Sequence, residues 1–224
     1  MWLAARTNPE APKHKGISMF IVPTDTPGFK VQPMQLLGEH NTNYTFYEDV
    51  RIPATNLVGE ENGGWRLITN QLNHERVTLC SPGIIERNLA EVRRWAQETK
   101  LADGRRVIDQ EWVQVNLARI HARLEFLRLM NWKVAWTATQ GRLDVADASS
   151  IKVFGTEFYL EAFKLMFEII GQVGYLKRGS PESVLSSRLE TLYRGMLILT
   201  FGGGTNEIQR ELIAMFGLGM PKSR

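Results

Sequence analysis

Cysteine is nearly absent: Cys80 is the single one in 224 residues. That excludes an internal disulfide framework and fits a reducing compartment. Beside Leu79 in a helical stretch, Cys80 reads as a small buried side chain rather than a reactive thiol. No run of eighteen uncharged apolar residues occurs, so no membrane-spanning helix is expected. The opening residues also lack the signature of a signal peptide. Charge of one sign is not in excess either, with 27 Lys and Arg against 24 Asp and Glu and a net charge of +3. Arg93-Arg94 and Arg105-Arg106 are isolated pairs on or beside helices, best read as solvated, and nucleic acid is set aside as a partner. No residue is singled out as a metal ligand. The remainder, 43% hydrophobic and 23% charged, is the composition of an ordinary soluble, cytoplasmic globular protein with room for one large domain or two small ones.

The patterning changes once along the chain. Up to about residue 60 it is β-like. Met1 to Arg6 looks like a strand already in progress, as if part of a larger sheet lay upstream. Gly16 to Pro23 is a short apolar strand closed by proline, Thr24 to Gly28 has turn chemistry, and Phe29 to Pro33 resumes an extended pattern. Tyr44 to Tyr47 is aromatic and β-branched, and Glu48 to Pro53 carries it to another proline stop. After Gly59 and the Gly63-Gly64 pair the period is helical. Helices are expected over about 62–100, bent at Pro82, over 109–140, over 144–170, and from Pro181 to about Leu199. The second repeats Val113, Leu117, Ile120, Leu124, Leu127 and Val134. A further stripe of Trp112, Ala122, Phe126, Leu129 and Trp136 predicts burial on two sides. The third carries Ile151, Phe154, Phe158, Ala162, Leu165 and Ile169 on one face. The expected fold is mainly α with a β portion: part of a β-barrel or sheet domain over 1–60, then an antiparallel four-helix bundle over 61–224. Aromatics at these positions are expected in the core, and none of the tryptophans is read as a binding group.

The organising stretch is the helix through Trp65 to Leu79. Trp65, Ile68, Leu72 and Leu79 step by three, four and seven along one face, and the missing step is Glu75. A carboxylate aimed where carbon should be buried loses water and becomes a candidate base. Pairing with a neighbour such as Arg76, or with a residue of another helix, is the competing reading. His74 is expected on another face. Near the end, Phe201-Gly202-Gly203-Gly204 lets the backbone turn and approach something closely. Thr205 or Asn206 then caps a short final helix, whose first N–H groups can hold an anion or a polar edge. A plain capped turn explains that stretch equally well.

Four segments, Lys15 to Val22, Tyr47 to Pro53, Val58 to Trp65 and Gly204 to Arg210, in this order and spacing, resemble the acyl-CoA dehydrogenase family. The resemblance covers essentially the whole chain, from partway through the family's middle β-domain to the end of its helical domain. It implies FAD as cofactor, an acyl-CoA thioester as substrate and an electron-transfer flavoprotein as electron acceptor. In this chemistry a glutamate removes the α-proton while hydride leaves Cβ for the flavin. Many members place that glutamate immediately before the Gly-Thr pair, where this chain has Gly203. A subset places it on the first helix of the C-terminal domain, directly before an arginine, and that position is Glu75, followed by Arg76. The resemblance therefore implies Glu75 as catalytic base. It gives Gly203, Thr205 and Glu207 as cofactor-side residues, with a backbone N–H at Gly203 able to hold developing charge. Asn73 and Arg76 become substrate-side residues.

Departures from the family pattern carry information as well. Glu207 stands where the family has Gln. The R-x-x-F-G motif that reaches a neighbour's flavin is replaced by Leu101 to Val107, and the Q-x-x-G-G motif by Glu168-Ile169-Ile170-Gly171-Gln172, whose carboxylate would repel an anionic cofactor. Contacts owed to a neighbouring chain's flavin are thus lost while the chain's own site is partly kept. This implies a hetero-oligomer with a homologous subunit, similar to the paired dehydrogenases of bacterial steroid side-chain breakdown. A non-catalytic scaffold subunit, or a flavin monooxygenase or acyl-CoA oxidase, are the alternatives.

Overall fold

The computed structural model describes residues 1–38, 41–141 and 143–222. Contacts group the chain into two compact units, one holding the strands up to Asn73, the other running from His74 and taking in Leu37 and Gly38.

In the first unit, β1 (Trp2–Arg6) pairs antiparallel with β2 (Ile17–Ile21), Trp2 opposite Ile21 and Arg6 opposite Ile17. The short β5 (Leu57–Val58) lies on the other edge of β2. β3 (Phe29–Met34) and β4 (Thr42–Tyr47) form a separate two-stranded pair. Pro33 is tolerated there because each strand of such a pair is an edge. The extended stretch expected over Glu48 to Pro53 is not a strand. β4 ends at Tyr47, and Asp49 turns the chain with φ of 51°.

The helix expected over 62–100 is two helices, α1 (Gly64–Thr78) and α2 (Gly83–Glu98). Pro82 breaks it rather than bends it, since proline offers no N–H and clashes with the carbonyl four residues back. Side chains capture the carbonyls this break releases. Asn131 Nδ2 donates to Cys80 O at 3.2 Å, and the Tyr159 hydroxyl donates to Ser81 O.

α3 (Glu111–Thr139) and α4 (Val145–Ile170) follow. Asp144 caps α4 by accepting the N–H groups of Ala146 and Asp147. α5 (Arg188–Met196) starts later than expected from Pro181, because Leu185, Ser186 and Ser187 adopt left-handed φ of 51°, 55° and 54°, through which an α-helix cannot pass. A short α6 (Asn206–Leu212) ends the set.

The bundle of α2, α3, α4 and α5 is built around α4, which packs on the other three. Ile151, Phe158, Tyr159, Ala162, Phe163 and Met166 of α4 are buried on all sides against Ile85, Val92, Ile120, Leu124 and Leu127. Each buried Val, Leu, Ile, Phe or Met among them contributes about 1.5–3 kcal/mol. α4 packs tightly on the α1–α2 break at Gly155, where an added Cβ would meet Cys80 Cβ at 2.5 Å. Cys80 is buried as expected, and burial pushes its thiol up to about 12.

α3 departs from expectation. Its first stripe is buried, but Trp112, Phe126, Leu129 and Trp136 of the second face solvent, joined by Trp132 at 63% exposure. Trp2 and Trp65 are exposed too, so the rule that aromatics here belong to the core fails for most of the tryptophans. α3 has neighbours on only part of its circumference, so its second stripe is left largely exposed, with Phe126 meeting the Phe154 ring edge-on at 4.8 Å.

Candidate functional site

α1 presents Glu75 and Arg76 in its last turn. The stripe containing Glu75 is less buried than its spacing suggests. Trp65 is 46% exposed and stacks on His14 at 4.8 Å, while Ile68, Leu72 and Leu79 are half-buried. Glu75 is also half-buried, and its carboxylate makes no ion pair among the described residues. The neighbour whose charge it acts on is Arg76, the next residue. Asn73, two residues earlier, is half-buried and falls in the other compact unit. His74 is exposed, as expected.

Arg76 reaches 127 residues along the chain, its Nε donating to Gly203 O at 3.3 Å. Burial pulls its guanidinium below the usual range, and Glu75 beside it pulls the other way. Gly203 has φ of 72°, and a Cβ built on it would lie 2.7 Å from Leu79 Cδ1. Both facts make a side chain at position 203 costly in this backbone. Gly203 O accepts a second bond from Gln209 Nε2 at 3.3 Å. The N–H groups of Gly203 and Gly204 meet no backbone acceptor among the described residues.

Thr205 caps α6, its hydroxyl oxygen accepting the Ile208 N–H at 3.3 Å. The hydroxyl proton remains free to donate. Glu207 sits exposed in the first turn of that helix. Of the six predicted residues the fold thus brings Arg76 to Gly203, with Thr205 and Glu207 on the next turn. Glu75 is carried on the same turn of α1 as Arg76.

The sequence reading missed a residue at the heart of this cluster. Lys152, fully buried on α4, donates to Gly204 O at 2.6 Å, Asn206 Oδ1 at 2.6 Å and Thr200 O at 3.4 Å. Burial pushes the ammonium below the usual lysine value; Cys80, Glu207 and Glu157 oppose that, and Arg76 adds to it. Asn206 is held in turn by Thr156 at 3.2 Å and by Glu157, which also accepts from Arg210. The available signal was a lone lysine between Ile151 and Val153. It stays hidden because the sequence pattern marks α4 as apolar on one face only.

Sequence and structure comparisons agree with one another. The family described as "Acyl-CoA dehydrogenase, C-terminal domain" matches residues 62–218. The chain is 53% identical to acyl-CoA dehydrogenase FadE26 of Mycobacterium tuberculosis, an alignment covering 100% of this chain and 57% of that protein. It is 43% identical to FadE29 of the same organism, over 99% and 57%. Among solved structures it is similar to the ChsE4–ChsE5 complex from Mycobacterium tuberculosis, at 54% identity and a TM-score of 0.90 over 99% of this chain and 57% of that one. It is also similar to the Tcur3481–Tcur3483 steroid ACAD, at 45% identity and a TM-score of 0.91 over 99% and 56%. The chain spans a little over half the length of these relatives.

Proposed function

Because the chain belongs to the acyl-CoA dehydrogenase family, we propose that it is the C-terminal part of an FAD-dependent acyl-CoA dehydrogenase subunit with Glu75 as its base. The middle β-domain would then contribute residues 1–60 and the helical domain residues 61–224. The observation that carries this reading is the pair of alternatives for the base. Position 203 is a glycine whose left-handed φ and contact with Leu79 disfavour a side chain, whereas Glu75 is a half-buried carboxylate with no ion-pair partner among the described residues.

In this reading Glu75 takes the α-proton of an acyl-CoA thioester, strengthened as a base when bound substrate removes its remaining water. The Gly203 N–H donates to the thioester oxygen as negative charge develops there. Arg76 holds the Gly203 carbonyl and so aims that N–H. Asn73 lines the approach of the acyl-CoA. The flavin, when bound, supplies the two-electron acceptor for the hydride leaving Cβ.

The residues present fit such a cofactor in part. Thr205 has a hydroxyl proton to give, the Gly204 N–H meets no backbone acceptor among the described residues, and the Gln209 Oε1 is buried there without a donor. Glu207, a carboxylate facing an anionic group, is the element that fits least.

The partner is taken to be a homologous subunit in a hetero-oligomer, and electron-transfer flavoprotein the electron acceptor. The two solved relatives above, ChsE4–ChsE5 and Tcur3481–Tcur3483, each pair two proteins, and the apolar face of α3 around Phe126, Leu129, Trp132 and Trp136 is a surface of the kind that assembly covers. A steroid-linked acyl-CoA is the substrate class to try first. Among the described residues no helix is long and apolar enough to cross a membrane.

Replacing Glu75 by Gln in the assembled complex tests the reading. Loss of turnover with complex and flavin retained supports it, whereas unchanged turnover makes the chain a scaffold for a catalytic partner. Turnover with an artificial acceptor under anaerobic conditions separates a dehydrogenase from an oxygen-dependent oxidase or monooxygenase.

A further inference from the structure

Lys152 is the one charged group in the fully buried part of α4. An ammonium has three protons to donate and no acceptor, and burying it is costly unless each proton is met. Here each is met by a neutral oxygen. Two of these, Thr200 O and Gly204 O, are the carbonyls at the two ends of the Phe201–Gly203 turn, and the third is the side chain of Asn206, the first residue of α6. One ammonium therefore clasps both ends of the turn. Inside the clasp lies Gly203, whose carbonyl is the acceptor for Arg76, the residue next to Glu75.

We propose that Lys152 is a positioning residue: its ammonium fixes the Thr200–Asn206 turn, and through Gly203 and Arg76 it sets the place of the Glu75 carboxylate. Lys152 touches no reacting atom in this scheme. The proposal rests on Glu75 being the base only for its last link, since the clasp itself stands on geometry alone. A purely space-filling role predicts that methionine, of similar length and without charge, substitutes freely. A clasp predicts that it does not.

The test is hydrogen–deuterium exchange on the full chain in its assembled complex, comparing wild type with Lys152→Met. Peptides covering 198–206 should exchange at least tenfold faster in the variant, while those of α3 and α2 stay unchanged. Under turnover, kcat should fall at least tenfold with KM altered less than threefold. Unchanged exchange at 198–206 overturns the clasp. Faster exchange with unaltered kcat overturns the link to Glu75.

Should Lys152→Met fail to fold, the wild-type protein with nitrogen-15-labelled lysine decides. A resolved, slowly exchanging ammonium signal at neutral pH supports the clasp, and its absence overturns it. A turn that opens in Lys152→Met while Glu75→Gln keeps full turnover would sink the catalytic reading and leave the clasp standing.

Discussion

The end of α1 and the middle of α4 each place a charge where the sequence around it is apolar, and they treat that charge in opposite ways. Glu75 is left half-buried and without an ion pair among the described residues. Lys152 is sealed from water and has an acceptor for every proton. A charge with all its hydrogen bonds made holds structure together, because moving it breaks them. A charge with its bonds unmade is available to a ligand. Substitutions at the first region should therefore change rate with little effect on stability, and those around the second should change stability or local order.

The sharpest break of this contrast is Glu75→Gln. A positioned base contributes about 10²- to 10⁴-fold, and turnover of the assembled complex should fall by that order. The denaturation midpoint should barely move, with a stability change inside about 0.5 kcal/mol. A large stability loss in a urea titration would mean that Glu75 is as engaged as Lys152 and that the contrast is false.

Next in size is an alkaline effect at the α4 side. The Cys80 thiol, ordinarily 9.0, is held at about 12 by burial. Between those values the unfolded chain has lost a proton that the folded chain keeps. The stabilisation is complete below pH 9 and is lost as pH rises toward 12, by up to about 1.4 kcal/mol per pH unit. Tyr159, also raised by burial, adds to the loss at higher pH. Lys152, lowered, works against it just below its ordinary value of 10.5, where the unfolded chain binds the extra proton. Cys80→Ala should flatten the fall seen in denaturation curves between pH 9 and 10.

Gly203→Ala comes third. The left-handed φ of 72° costs a side chain about 1–2 kcal/mol, with the Leu79 contact in addition. Thermal denaturation should register that loss. The smallest change is Thr205→Ala, which removes the α6 cap for about 1 kcal/mol and is best read as faster amide exchange at Ile208.

Much of the fold was legible in the sequence because its signals are local. Strand positions followed from β-branched and aromatic runs closed by proline. The buried stripe of α3 followed from Val113, Ile120, Leu124, Leu127 and Val134. What escaped depends on neighbours. Whether Trp132 and Trp136 are covered is decided by what lies opposite α3. Whether Lys152 is solvated is decided by helices packing around all of α4. The helix break needed more than Pro82, because a bend and a break share one sequence signal and differ in whether Asn131 and Tyr159 reach the released carbonyls. In the candidate site, Glu75 showed as a fault in an apolar stripe. The pairing of Arg76 with Gly203 joins positions 127 residues apart, and no local pattern encodes it.

The four residues between α1 and α2 have one more consequence. Their two inward oxygens are claimed by different long helices, Cys80 O by Asn131 of α3 and Ser81 O by Tyr159 of α4. Sliding either helix by a single turn, about 5.4 Å, would strand one oxygen in a dry interior. The interruption thus works as an index mark, fixing the axial alignment of two rods whose apolar surfaces alone would tolerate several settings.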